Sequence, residues 1–274
     1  MTFVATELAI PCAYKGRATA AMASPLQLSF RGVVPRLTGT LAASAALILT
    51  IGGTASAAPN DNAFSQLLKL NPGLSAAELE KSMHEAAAAT GLTYDQAIAT
   101  ALDEAERHAQ PDGSTKVNSS NPSCGQVEIG AANFKGDIFY SAASTYGVSH
   151  GHTGIYSEKN YITEARGSGQ NSGEFAVAGR KYCKNIEKMV VNTATVNQQN
   201  QAADYASQYL TGKPYNSNFA WNKGGDIDTL NCSELVYKAY KRSINYDLDD
   251  DGGLGVYPAD IKNDSETTTY QVIS

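Results

Sequence analysis

The chain has 274 residues, 42% of them hydrophobic and 18% charged, and a formal net charge of −6 at pH 7. An acidic balance excludes nucleic acid as the natural partner, because phosphate binding needs a basic face, and it gives no attraction to anionic lipid. With four cysteines and four histidines, any thiol or imidazole chemistry has to be found among a handful of side chains.

Leu37 to Ile51 is an apolar run preceded by Arg31 and Arg36 and followed by Ala55-Ser56-Ala57. It is shorter than the roughly 20 residues a spanning helix needs. The run therefore reads as a secretory signal peptide cut after Ala57, with no stable membrane span after processing. A retained anchor is the competing reading. Met22 competes with Met1 as the start, because the segment before Arg31 is long for such a leader. Residues 1–57 carry a net charge of +3, so residues 58–274 carry −9. A chain of that size can bury one core, or one core and a small appendage.

Residues 58–110 are predicted to be helical. Asn62 to Leu70 ends at Asn71-Pro72-Gly73. Ser75 and Glu78 have capping-box spacing ahead of Leu79, Met83 and an alanine run that stops at Gly91. Thr93 and Gln96 repeat the box ahead of Tyr94, Ile98, Ala101, Leu102 and Ala105. This alanine-rich hairpin is expected to be an appendage on the main domain, with a pro-region, a wall-proximal spacer or a docking module as the alternatives. Residues 111–123, rich in Pro, Gly, Ser and Asn, read as a linker.

Residues 124–274 form the second domain. Gly136 to Tyr140 reads as a strand. His150 to Tyr156 and Tyr161 to Ala165 read as two strands around the turn Ser157-Glu158-Lys159-Asn160, and Lys188 to Val196 as another. Gln199 to Leu210 reads as a helix stopped by Thr211-Gly212-Lys213-Pro214, and Tyr270 to Ile273 as a closing strand. Strands and helices are segregated, so the fold class is α+β with a mainly antiparallel sheet.

The most informative run is Leu230-Asn231-Cys232-Ser233-Glu234-Leu235-Val236-Tyr237. Asn231 and Glu234 have capping-box spacing, and Leu235, Val236, Ala239 and Tyr240 recur at helical intervals. Cys232 thus begins a helix. The positive end of the macrodipole favours a thiolate there, and the first free N–H groups suit a developing oxyanion. Of the cysteines after the leader, Cys124 and Cys183 can pair and leave Cys232 free, although the sequence leaves the other pairings open.

A cysteine nucleophile needs a base and a group that orients the base. His84 and His108 fall in the helical segment. His150 and His152 fall in one strand and on one face, since strand period is two. A hairpin turning about Glu158 sets His152 opposite Glu164. A symmetric four-residue loop would instead set Thr163 there, and a two-residue slip Ile162 or Arg166. Tyr140 and Tyr156 are candidate cleft residues, with packing as the plainer reading.

The segments His152-Thr153-Gly154-Ile155-Tyr156, Ile162-Thr163-Glu164-Ala165 and Asn231-Cys232-Ser233-Glu234-Leu235-Val236, in this order, resemble the circularly permuted NlpC-type papain-fold hydrolases of the YiiX/YycO-like group. Gly136-Asp137-Ile138-Phe139 and Ala206 to Tyr215 are similar to the family's first strand and to the helix and turn before its nucleophile. The likeness spans roughly residues 130–265. It implies a permuted papain-like fold in which Cys232 is the nucleophile, His152 the base and Glu164 the orienting group, with His150 as an extra candidate base.

The acidic stretch Asp247-Leu248-Asp249-Asp250-Asp251-Gly252 places acids at positions one, three and five of an EF-hand-type loop, with Gly at six and Leu254 at eight. Position twelve is Pro258, so the bidentate Glu is absent. An acidic turn is the plainer reading. Calcium on Asp247, Asp249 and Asp251, in a structural role, is the alternative, and the chemistry itself calls for no cofactor.

Taken together, the expectation is an exported cysteine peptidase or amidase, secreted or wall-associated. It would act on a peptide or amide substrate, for which peptidoglycan is the natural candidate. The alternatives are a non-catalytic wall- or partner-binding module on the same fold, and a lipid or small-molecule amidase or esterase.

Overall fold

The computed structural model describes residues 61–109, 124–145 and 147–274; the leader and linker assigned from sequence lie outside them. Three helices come first, α1 (Asp61–Leu70), α2 (Ala76–Thr90) and α3 (Tyr94–Ala109). Both expected capping boxes form. Ser75 Oγ accepts from the Glu78 N–H at 3.2 Å, Thr93 Oγ1 accepts from the Gln96 N–H at 3.2 Å, and Gly91 ends α2 in the left-handed conformation.

Strands β1 (Gln126–Glu128), β2 (Ile138–Ser141), β3 (Ser144–Thr145), β4 (Val148–Ser149), β5 (His152–Glu158), β6 (Tyr161–Glu164), β7 (Gly173–Ala176), β8 (Lys181–Cys183) and β9 (Ile186–Val191) follow. Then come α4 (Val196–Tyr209), α5 (Cys232–Ile244), α6 (Pro258–Asn263) and β10 (Thr267–Ile273). The helix assigned from Gln199 begins three residues earlier, at Val196. A Thr195/Gln198 capping box takes the end of the expected strand into α4.

The main sheet is antiparallel with strand order β10-β9-β2-β5-β6-β7; β1 with β8, and β3 with β4, form two-stranded ribbons. Strand alternation gives the sheet two cores. Ile138, Ile155, Met189 and Val191 face α4 and α5 through Ala202, Ala206, Leu235, Val236 and Tyr240. Phe139, Tyr156, Ile162 and Ile186 face the other way, under the β1–β8 ribbon. The α+β fold with an antiparallel sheet is as expected from the sequence.

Cys124 and Cys183 are disulfide-bonded, with Cα atoms 5.2 Å apart, and Cys232 is free. The helical segment and the sheet domain belong to one unit, Thr54–Ser274. Leu79, Met83, Ile98 and Ala101 of the segment share a core cluster with Phe219, Ala220, Cys232, Leu254 and Tyr257. Among the described residues no helix is long and apolar enough to cross a membrane.

Candidate active site

Cys232 opens α5, and Asn231 caps that helix. Asn231 Oδ1 accepts from the Glu234 N–H at 2.8 Å, and Glu234 Oε2 accepts from the Asn231 N–H at 3.1 Å. The Ser233 hydroxyl also donates to Asn231 Oδ1, at 3.1 Å. Asn216 holds the Glu234 carboxylate at 2.9 Å, and Lys238 one turn on pairs with it. Five side chains thus fix where the helix starts, and with it the position of the thiol.

His152 is the first residue of β5 and Glu164 the last of β6. The imidazole Nε2 lies 2.7 Å from Glu164 Oε2, and the ring is also hydrogen-bonded to Cys232. With Nε2 occupied by the carboxylate, Nδ1 remains for the thiol. The hairpin register is not the expected one. Ile155 pairs with Thr163 and Tyr156 with Ile162, with a bulge before Glu158 and Tyr161 pair. Carried on, this register sets Gly154 opposite Glu164, and His152 two residues further along the strand.

The His152–Glu164 contact is therefore diagonal, and Gly154 makes it possible. A Cβ at Gly154 would lie 3.1 Å from Glu164 Cβ and 2.7 Å from the Phe139 ring. The vacant position lets the Glu164 side chain lean across toward His152.

Two residues missed at the sequence level hold the acid. Arg180 Nη1 donates to Glu164 Oε1 at 2.9 Å, and the Tyr182 hydroxyl donates to Oε2 at 2.8 Å. The Tyr182 ring also stacks on His152 at 5.6 Å, and Phe139 meets the same imidazole edge-on at 5.6 Å. Tyr182 adjoins the disulfide, so the bridge fixes the strand that carries it.

Electrostatics follow from this packing. Burial alone would lower the His152 pKa, but hydrogen bonds to Cys232 and Glu164, with their negative charges, outweigh it and push it up to about 10. For Glu164, burial raises the pKa, and the His152 hydrogen bond and charge, Tyr182 and Arg180 together hold it below the ordinary carboxylate value. The imidazole is thus an imidazolium at neutral pH and the acid is ionised.

His150 does not extend β5. Gly151 has φ +74°, which breaks the strand period, and the Tyr140 ring would lie 2.6 Å from any Cβ there. His150 stacks on Phe219 at 5.1 Å, and its Nδ1 lies 2.7 Å from the Gly151 carbonyl. Burial pushes its pKa down to about 4, so it is neutral at pH 7. His152 is the histidine bonded to both thiol and carboxylate.

A cleft of about 270 Å³ runs along this wall, lined by His150, His152, Glu164, Tyr182 and Tyr215 among others. Tyr140 and Tyr156 are not among its lining residues. Tyr156 is buried with its hydroxyl on the Gly130 carbonyl at 3.0 Å. Tyr215 and Tyr182 take the places expected of them. Cys232 is only 1% exposed and meets the cleft through His152.

The acidic loop is dispersed. Asp247 pairs with Lys241 at 2.8 Å, Asp249 pairs with Lys223, and Asp251 pairs with Arg107 at 2.7 Å. Cations from α3, α5 and the loop at residue 223 thus take the three carboxylates separately, and the pairings of Arg107 and Lys223 are ones the sequence spacing did not reveal. Among the described residues, the group whose atoms lie close enough together for a metal is His108, Asp251 and Asp260, within 4.8 Å. In that group His108 Nε2 is 3.0 Å from Asp260, and Arg107 already neutralises Asp251.

The profile of a family of permuted papain-like amidases, the YaeF/YiiX or C92 family, matches residues 136–269. The chain is 31% identical to the uncharacterized protein YycO of Bacillus subtilis (strain 168), over 80% of this chain and 90% of that protein. An alignment of that extent reaches into the helical segment. The crystal structure of the metalloprotein yiiX from Escherichia coli O157:H7 is similar at 18% identity and a TM-score of 0.38, over 51% of this chain and 97% of the other.

Proposed function

Because the chain belongs to the permuted papain-like amidase family, we propose that it is an exported cysteine hydrolase that cleaves amide bonds through a Cys232–His152–Glu164 triad. The observation that carries this reading is the imidazole of His152, hydrogen-bonded to Cys232 on one side and 2.7 Å from Glu164 on the other. Thiol, base and a group that orients the base are the parts that activate a cysteine nucleophile.

In the reactive form His152 carries the proton and Cys232 is the thiolate paired with it. The thiolate attacks the amide carbonyl. The Cys232 N–H, free at the start of α5, stabilises the oxyanion. His152 then protonates the leaving amine, and water activated by the same imidazole cleaves the thioester. Glu164 stays ionised throughout and holds Nε2. Each step uses only this chain's side chains and water, with no cofactor.

Export rests on the leader read in residues 37–57 and agrees with the Cys124–Cys183 bridge, which persists in oxidising compartments. The abundant amides outside a cell are those of wall peptides, so peptidoglycan is the first substrate class to try. A second reading, a non-catalytic binding module on this fold, is favoured by the burial of Cys232.

The pH dependence of Cys232 alkylation by iodoacetamide separates the two. The hydrolase reading expects reaction well below the ordinary thiol pKa of about 8.5, lost in His152→Ala. A thiol that reacts only as an ordinary cysteine, regardless of His152, refutes it.

A further inference from the structure

The wall of the cleft is cationic in a chain that is otherwise acidic. Its one carboxylate, Glu164, is already held by His152, Arg180 and Tyr182. The same wall carries Arg166, Arg180 and Lys181. Arg180 is committed to Glu164. Among the described residues, Arg166 and Lys181 form no ion pair, although residues 58–274 carry a charge of −9 that could supply many.

Arg166 is nevertheless held in place. Phe175 meets both arginines, with each guanidinium 4.4 Å from the ring centroid. A guanidinium over an aromatic face is stabilised by the ring quadrupole and keeps its edge donors free. Phe175 is in turn seated by Gly173, where a Cβ would lie 2.9 Å from the ring. Gly173 pairs with Glu164 across β6 and β7. One glycine therefore sets a ring, the ring sets two guanidiniums, and one of these reaches the cleft with its charge unspent.

We propose that Arg166, with Lys181, forms an oxyanion subsite, and that the preferred substrate is an amide with an anionic group beside the scissile bond. This deepens the hydrolase reading and rests on it for the word substrate; the subsite itself is a binding claim. An Arg fork recognises a carboxylate and a phosphate equally well by shape. The shared chemistry is an oxyanion, from a peptide carboxylate or from a phosphorylated headgroup.

The test measures binding without turnover, in the full protein carrying Cys232→Ala. Three probes are titrated by calorimetry: an acetylated dipeptide ending in a free carboxylate, the same dipeptide amidated, and N-acetyl-phosphoethanolamine. The expected result is at least ten-fold tighter binding of an anionic probe than of the amide, weakening as salt is raised. Arg166→Glu removes that preference, Lys181→Glu reduces it, and Lys69→Glu, a charge change on α1, leaves it. Preference for the phosphate over the carboxylate supports the subsite and assigns its source. Equal binding of the amide, or a preference indifferent to Arg166→Glu, overturns the proposal. The hydrolase reading fails separately: anionic probes bind, yet Cys232 in the otherwise unaltered protein resists iodoacetamide.

Discussion

Two buried histidine–carboxylate pairs stand in this molecule, and they differ in what lies beyond them. His152 meets Glu164 at 2.7 Å; His108 meets Asp260 at 3.0 Å. Both rings stack on a tyrosine, Tyr182 in the first case and Tyr257 in the second, and both acids lie deep in the fold. Yet the free side of His152 faces a thiol and a cleft, whereas His108 is surrounded by Asp251, Asp260 and Glu104. The second pair clamps α3 onto the loop that follows α5, where Glu104 accepts from the Leu254 and Gly255 N–H groups at 2.9 and 3.0 Å. On the proposed reading, identical pair chemistry serves reaction in one place and docking in the other, and the third group decides which.

The largest expected effect separates the two pairs outright. Cys232→Ala and His152→Ala should each lower kcat/KM by about 10⁴-fold or more while circular dichroism stays native. His108→Ala should keep turnover and lose about 1–3 kcal/mol of stability, since it leaves buried Asp260 without its partner. Equal loss of turnover in His108→Ala would erase the distinction.

Next in size is the disulfide, which anchors β8 beside the cleft and has no counterpart at the His108 pair. Its closed loop is about 60 residues long, worth about 4 kcal/mol by loop entropy. Cys124→Ser with Cys183→Ser should lower Tm by about 10 °C. It should also loosen Tyr182 and Arg180, and so depress turnover more than it disturbs α3. A native Tm, or no change in turnover, would detach the bridge from the site.

Glu164→Gln should cost less, about 10–100-fold in kcat/KM. The thiol–imidazole contact survives, but the charge that helps hold the His152 proton is gone. His152 titrates at about 10 in the intact site. Loss of activity at high pH, when the imidazolium deprotonates, should therefore begin at a lower pH in Glu164→Gln. An unmoved high-pH limb would mean that Glu164 does not tune His152.

Much of the first pair was legible because its parts are local. The Asn231/Glu234 cap lies within four residues, and the His and acid strands adjoin through a short turn. The register was not legible, because it hangs on a bulge between Tyr156 and Glu158 and on the empty position at Gly154. Arg180 and Tyr182 come from the chain after β7, 16 and 18 residues from Glu164, a separation at which periodicity says nothing. The ion pairs of the acidic loop were not legible either. Its spacing is calcium-like, but Arg107 and Lys223 arrive from distant segments, and nothing around Asp247 foretells them. Three helices with two capping boxes were readable from 61–109, whereas the docking of Glu104 and His108 onto residues 251–260 is tertiary and left no local mark.

The smallest effect concerns the pH dependence of the docking pair. Burial pushes Glu104 up to about 8, despite the two N–H bonds that favour its ionised form; the reference carboxyl titrates at 4.5. Between those values the folded protein binds the extra proton, so this contribution is full below 4.5 and is lost as pH rises through 8. His108 has the same sign. Burial lowers its pKa, but Asp260, Asp251 and Glu104 outweigh it and raise it above 6.5. Its contribution is full below 6.5 and fades as pH passes the folded value. The clamp should therefore weaken from pH 5 to pH 9. Glu104→Gln removes the carboxyl's share, so urea unfolding should show the variant gaining about 1–3 kcal/mol on the unaltered protein across that interval, less than the full shift because the protein relaxes around a buried charge as it forms. His152, raised from 6.5 to about 10, also binds an extra proton over most of this range and adds to the slope, but Glu104→Gln leaves it in place, so its share cancels between the variant and the unaltered protein. A stability difference that stays flat with pH would mean that Glu104 is ionised throughout, and that the two backbone N–H groups decide its charge.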